Sequence, residues 1–181
     1  MKNWLSLVAA LLALAGVSRA EWQVGATGLL LLDEETAVGV TAEIGGHYQT
    51  GTIDSLFGLQ CVLAGSESET ESTTTDASYF ALMALYRGYY PLDSAGRLRV
   101  YGEAGLGVGN CGVEYTTRKE NYDEDTLGFS FQFGLGLEYG LSDNFSIRGG
   151  YDLLRLPEQS GDWGDFGGLT SEFSLGVVLR F

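Results

Sequence analysis

Residues Ser171–Phe181, SEFSLGVVLRF, put Phe173, Leu175, Val177, Leu179 and the terminal Phe181 on one face of an extended chain, and Glu172, Ser174, Gly176 and Arg180 on the other. Successive side chains of a strand point to opposite faces, so strict alternation marks a two-faced strand. A soluble strand covered on one side shows the same pattern. Here the alternation runs to the last residue, and the polar face carries a carboxylate and a guanidinium. That distribution predicts lipid on one side and the polar lumen of a barrel on the other. The Phe173–Phe181 face then serves as the membrane-insertion signal.

Upstream, the same pattern recurs. Period-2 alternation predicts eight strands, at 22–32, 37–48, 56–64, 78–89, 98–111, 127–141, 145–156 and 171–181. In the sixth, Phe129, Phe131, Phe133, Leu135, Leu137 and Tyr139 alternate with Ser130, Gln132, Gly134, Gly136 and Glu138. That run exceeds the length of an ordinary globular strand and suits a tilted membrane strand, which needs about 9 to 11 residues in the hydrocarbon. The fifth sets Val100, Ala104, Leu106 and Val108 against Arg99, Tyr101 and Glu103, and the second sets Val38, Val40 and Ile44 against Thr41, Glu43 and His47. The seventh sets Phe145, Ile147 and Tyr151 against Ser146, Arg148 and Asp152. Leu29 to Leu32 and Phe80 to Leu85 are apolar on both faces, so the register of their strands is undetermined.

Composition supports this reading. The 27 Gly, 2 Pro and 12% aromatics suit strands, and no stretch of the mature chain is a long apolar run of the kind a membrane helix needs. Lys2, the apolar stretch Leu5 to Val17 and Ser18-Arg19-Ala20 form an export signal at 1–20, with cleavage expected after Ala20 and one barrel domain at 21–181. The net charge is −14, and loss of Lys2 and Arg19 leaves 8 basic against 24 acidic residues, or −16, which excludes nucleic acid as a partner class. Cys61 points outward and Cys111 inward, two strands apart, so no disulfide is expected.

The connections alternate in character. Gln49–Ser55, Pro91–Arg97 and Ser142–Asn144 are short and rich in turn residues, whereas GSESETESTTTDA, GVEYTTRKENYDEDT and PEQSGDWGDFGGLT are long and acidic. Tight turns at one end and long loops at the other is the asymmetry of outer-membrane barrels. The loop acids are Asp33, Glu34, Glu35, Glu67, Glu69, Glu71, Asp76, Glu114, Glu120, Asp123, Glu124, Asp125, Glu158, Asp162 and Asp165. Ser66 to Ser78 reads as a mobile polar loop, and Tyr115, Tyr122, Trp163 and Phe166 as candidate surface contacts. Trp22, Tyr48, Tyr90, Tyr139, Phe145 and Phe181 fit an interfacial girdle at the turn end.

With the signal, the eight strands, YGEAGLGVG at Tyr101–Gly109, RGGYDLL at Arg148–Leu154 and Phe181 assembled, the chain resembles the outer-membrane protein A-like, or opacity-type, eight-stranded barrels over its whole mature length. The resemblance implies an all-β, antiparallel, up-and-down transmembrane barrel in the outer membrane of a Gram-negative bacterium. It implies outer-membrane lipids and lipopolysaccharide as neighbours, and the barrel-assembly machinery as the partner for insertion. With nothing after Phe181, the peptidoglycan-anchoring role of some relatives is not expected.

Candidate chemistry is sparse. His47 is the single histidine. Lipid A deacylases of similar size imply His-x-Ser-Asn, whereas here Tyr48, Gln49 and Thr50 follow, and general-base use requires hydrogen-bond reach to a nucleophile such as Ser55 or Ser146. The inward set Glu43, Arg99, Glu103, Glu138, Arg148, Asp152, Glu172 and Arg180 forms a candidate lumen charge network. An eight-stranded lumen is narrow enough for side chains to fill, so these charges plug it by pairing. Asp123-Glu124-Asp125 and Asp162 with Asp165 match no specific metal spacing, and neither metal nor cofactor is expected. The sequence therefore predicts a non-enzymatic barrel that supports envelope integrity and presents acidic loops to a surface partner. The alternatives are a lipid A-modifying enzyme and a narrow gated passage for a small solute or ion.

Overall fold

The computed structural model describes residues 21–32, 36–50, 53–69, 73–117, 121–161 and 164–181. The expected export signal at 1–20, and Asp33, Glu34, Glu35, Glu71, Glu120, Asp162 and Trp163, lie outside these residues, as do the side chains of Glu69, Asp165 and Phe166. The described chain forms β1 (Glu21–Leu32), β2 (Thr36–Thr50), β3 (Ile53–Glu69), β4 (Thr73–Pro91), β5 (Leu98–Thr117), β6 (Asn121–Gly140), β7 (Phe145–Gly161) and β8 (Gly164–Arg180). Each strand pairs antiparallel with its sequence neighbour, and β1 pairs with β8 to close the barrel. The closing seam runs from Gln23↔Arg180 to Leu32↔Ser171, and Trp22 and Phe181 exchange both backbone hydrogen bonds at 2.9 Å. From the turn end to the level of Phe131 and Ser171 every strand is paired on both sides, so this part of the wall has no edge and its ladder groups are satisfied without water.

The faces follow the alternation. Phe129, Phe133, Leu135, Leu137, Leu106, Val40 and Leu175 are exposed on the exterior, while Glu43, Glu103, Glu138, Arg148, Asp152 and Glu172 are buried in the lumen. Trp22, Tyr48, Tyr90, Tyr139 and Phe181 project outward near the turn end, where they form the interfacial girdle. Cys61 and Cys111 are both free, with Cys111 buried.

Two expectations are corrected. The tracts read as outer loops are largely strand: β3 and β4 extend to Glu69 and from Thr73, and β5 and β6 are 20 residues each, about twice the length needed to cross the hydrocarbon. Beyond the lipid the outward face meets water and carries Glu67, Asp76 and Glu114, so the period-2 contrast fades while the hydrogen-bond ladder continues through Thr, Val and Tyr. The Ser66–Ser78 tract in particular is paired strand on both sides of the tip. In β7 the ladder slips between Leu156 and Gln159, where Pro157 cannot donate.

The second correction concerns the lumen, whose charged groups are confined to the turn end and the middle. Toward the hairpin end it is filled by an apolar plug that includes Leu29, Leu31, Val62, Met83, Leu154 and Leu156, all buried. Leu29 and Leu31 point inward and Leu30 and Leu32 outward. In β4 Ala81, Met83 and Leu85 point inward, with Phe80 and Leu82 outward. These stretches are apolar on both faces because one face meets lipid and the other meets the plug.

Candidate functional site

At the turn end of the lumen, register places Glu138 on β6 opposite Arg99 on β5 and Arg148 on β7. Arg99 and Arg180 both donate to Glu138 Oε1. Arg180 also donates to Ser146 Oγ at 3.1 Å, and Arg99 to Asp54 Oδ2 at 3.1 Å. The Arg99 guanidinium lies over the Tyr89 ring, 4.6 Å from its centroid, a cation–π contact. His47 stacks on the same Tyr89 ring, with centroids 5.6 Å apart. Its Nδ1 meets Asp54 Oδ1 at 3.0 Å and its Nε2 meets Gln23 Oε1 at 2.6 Å. Gln23 in turn donates to Glu43 Oε1 at 2.8 Å, which connects this layer to the next.

Arg87 organises the middle layer. It grips Glu43 with two N–H groups, at 3.0 Å to Oε1 and 2.9 Å to Oε2, and donates from Nε to Glu103 Oε2 at 2.5 Å. The fork geometry of guanidinium suits such a two-sided clamp. Arg148 adds a donor to Glu43 Oε1 at 2.8 Å, and Gln132 one to Glu103 Oε1 at 2.6 Å. Arg87 lies 5.0 Å above the Tyr101 ring. That ring rests where side chains on Gly136 and Gly150 would stand, since a Cβ on either would collide with it. The two glycines therefore hold a flat aromatic against the barrel wall. With both guanidiniums and both carboxylates of this layer buried, each charge is sustained by its partner, and removing one strands the other.

The ion pairs of the candidate network thus fall into two clusters, joined through Asp54, His47 and Gln23. Glu138, Arg99 and Arg180 meet at the turn end, and Glu43, Glu103 and Arg148 meet in the middle through Arg87. Asp152 and Glu172 form no ion pair among the described residues, although both are buried. Arg87 escaped the sequence reading because it follows Ala81, Met83 and Leu85 on an inner face that is otherwise apolar. Its spacing of two from Tyr89, and its being a lone charge in a greasy strand, were the available signal. Gln23, Asp54 and Gln132 escaped because polar residues on an inner face reveal nothing of their partners.

The exterior carries a second feature. Glu67 pairs in register with Asp76, Asp76 with Glu114, and Glu114 with Asp123. Four exposed carboxylates therefore stand in one row across β3–β6 on the outward face. On β3, β4 and β6 the row lies four residues beyond the apolar side chains Leu63, Phe80 and Leu127, about 13 Å along the strand. Asp125 is held by Asn110, which donates to its Oδ1 at 3.1 Å. Tyr115 and Tyr122 sit opposite each other next to the row.

The geometry of nucleophilic catalysis is not built around His47. Its two ring nitrogens engage Asp54 and Gln23, while Ser146 Oγ accepts from Arg180 and Ser55 Oγ contacts Tyr86 OH at 3.3 Å. Among the described residues no three of His, Cys, Asp and Glu gather as a metal-binding group.

Residues 4–181 match the family model described as the outer membrane protein beta-barrel domain. Solved structures with the same fold include Ail, the attachment invasion locus protein of Yersinia pestis, in complex with the heparin analogue sucrose octasulfate. It is 15% identical with a TM-score of 0.54 and covers 90% of this chain and 97% of that one. Neisserial surface protein A is 14% identical, with a TM-score of 0.51 and the same coverage. A major outer membrane protein from Thermus thermophilus is 12% identical, with a TM-score of 0.62, and covers 90% of this chain and 100% of that one. At such identities the likeness establishes the fold. No curated protein matches by sequence.

Proposed function

The chain belongs to the outer membrane protein β-barrel family of the Gram-negative outer membrane, and from that premise we propose that it is a non-enzymatic surface barrel that supports envelope integrity and presents an acidic rim. The observation that carries this reading is the row Glu67–Asp76–Glu114–Asp123. Like charges directly opposite on adjacent strands repel, so the row stabilises the hairpins only when cations gather on it. Its height above the apolar belt sets it at the headgroup layer, where divalent cations with oxygen-rich coordination bridge carboxylates to lipopolysaccharide phosphates. The surface partner favoured by this rim is cationic. A polyanion of the heparin-analogue kind found with Ail meets repulsion here.

The plugged lumen supports the same reading. An ionic middle and an apolar outer half leave the barrel as an anchor for its rim rather than a passage. Under this reading the 1–20 segment is removed after Ala20 and the Phe173, Leu175, Val177, Leu179 and Phe181 face directs insertion by the assembly machinery. The test is uptake of an apolar fluorescent dye by cells that lack the chain, carry it, or carry a barrel neutralised at Glu67, Asp76, Glu114 and Asp123 to the matching amides. The wild type lowers uptake in the presence of Mg²⁺ and the neutralised barrel does not. Equal uptake in all three cell types contradicts the proposal, as does a lipid A mass spectrum that changes on expression and reverts with His47→Ala.

A further inference from the structure

In the middle of the lumen, above the Arg87 clamp, lies a cavity of about 10 Å³ walled by all eight strands, with room for about one water molecule. Five oxygens of its wall residues have no hydrogen-bond partner: Thr27 Oγ1, Gln60 Oε1, Gln132 Oε1, Asp152 Oδ1 and Glu172 Oε2. All five residues are at most 5% exposed. Four of these oxygens can only accept a hydrogen bond as they stand. Among the five unpartnered groups only the Thr27 hydroxyl can donate, so the set is short of donors.

The two carboxylates among them are neighbours by construction. Asp152 and Glu172 stand directly opposite on β7 and β8, with Cβ atoms about 5 Å apart. Asp152 also leans across Gly134, so far that its Oδ1 occupies the place a Cβ on that residue would take. Beyond Gly134, in register on β5, is Glu103. Asp152 is therefore flanked by a carboxylate on either side. The other ionisable groups of the cavity wall and its underside are Arg87 on β4, Arg148 on β7, Glu43 on β2 and Tyr101 on β5. Both guanidiniums are committed to Glu43 and Glu103, so two cations meet four carboxylates. An unpaired ionised carboxylate this deeply buried costs far more than a neutral one.

We propose that Asp152 is a proton-binding site. Its carboxyl takes one proton from solvent at neutral pH and donates it to a neighbouring carboxylate oxygen, while a single water in the cavity donates to the amide oxygens of Gln60 and Gln132. The ligand is a proton rather than a metal ion, because the described residues gather no metal-binding group and the space admits about one water. The site is independent of what the rim binds.

Infrared spectra of the refolded barrel in detergent test it. At pH 7 the wild type shows the carbonyl band of a protonated carboxylic acid, shifted in heavy water, and Asp152→Asn loses that band. Because asparagine imitates the neutral acid and does not titrate, the wild type loses stability in urea relative to Asp152→Asn as pH rises, by about tenfold in the unfolding equilibrium for each pH unit between the ordinary aspartate range of the unfolded chain and the pH at which the folded barrel releases its proton, and by no more above it. Glu172→Gln, which removes one flanking negative charge, keeps the band at acid pH and loses it at a lower pH than the wild type does. A wild-type spectrum without the band, or a band untouched by both substitutions, overturns the proposal. Destabilisation of the wild type on removal of Ca²⁺ or Mg²⁺, without effect on Asp152→Asn, replaces the proton by a metal and overturns it as well.

Discussion

The two halves of the lumen solve the same packing problem with opposite chemistry. Toward the short turns, Arg87, Arg99, Arg148 and Arg180 are each tied to carboxylates, and neutral groups such as Gln23 and Ser146 join the clusters. Toward the long hairpins, Leu29, Leu31, Met83, Leu154 and Leu156 fill the bore without a charged group. Both exclude water, but they differ in how they fail. An ionic cluster that loses one member leaves a stranded charge, whereas an apolar plug that loses a side chain leaves a void.

Arg87→Ala breaks the first half most severely. It leaves Glu103 without a cation and Glu43 with Arg148 alone, and is expected to destabilise the barrel by about 3–5 kcal/mol, read as a lower urea midpoint in detergent or as loss of heat-modifiable migration on gels. Replacing Arg87 and Glu103 together by Met and Gln recovers most of that loss, because Glu43 keeps Arg148 as its partner and no charge of the clamp is left unpaired. Leu154→Ala sharpens the contrast from the other half. It removes a fully buried side chain of the plug and is expected to cost roughly 3 kcal/mol with no change in salt dependence of the urea midpoint. At the rim, Asp76→Asn removes a carboxylate with a like charge on either side and is expected to raise stability by about 0.2–1 kcal/mol, an effect that shrinks as ionic strength rises.

The same contrast explains what could be read from the chain. Strands β2, β5, β6 and β8 were legible because lipid faces one side and charge the other, as with Phe133 against Gln132 or Leu137 against Glu138. Strands β1 and β4 were illegible in register where the apolar plug matches the lipid: Leu29 and Leu30 look alike, although one is buried and the other exposed. Hairpin ends were missed for the complementary reason, since Glu67, Ser68 and Glu69 are polar on both faces. Periodicity reports a contrast between two environments and is silent where they are the same. The inward carboxylates Glu43, Glu103 and Glu138 could be named from alternation alone. Their partition between Arg87 and Arg99 could not, because pairing across a barrel depends on shear and stagger, which no local pattern encodes. The acidic row was visible only as loop charge until register aligned Glu67, Asp76, Glu114 and Asp123.

The central claim is that the two halves together close the bore. Recording of the purified wild-type barrel in a planar lipid bilayer tests it most directly: insertion without conductance steps over a range of voltages is the predicted result. Reproducible steps with a stable amplitude, carried by the wild type and altered by Leu154→Ala, would contradict a filled lumen.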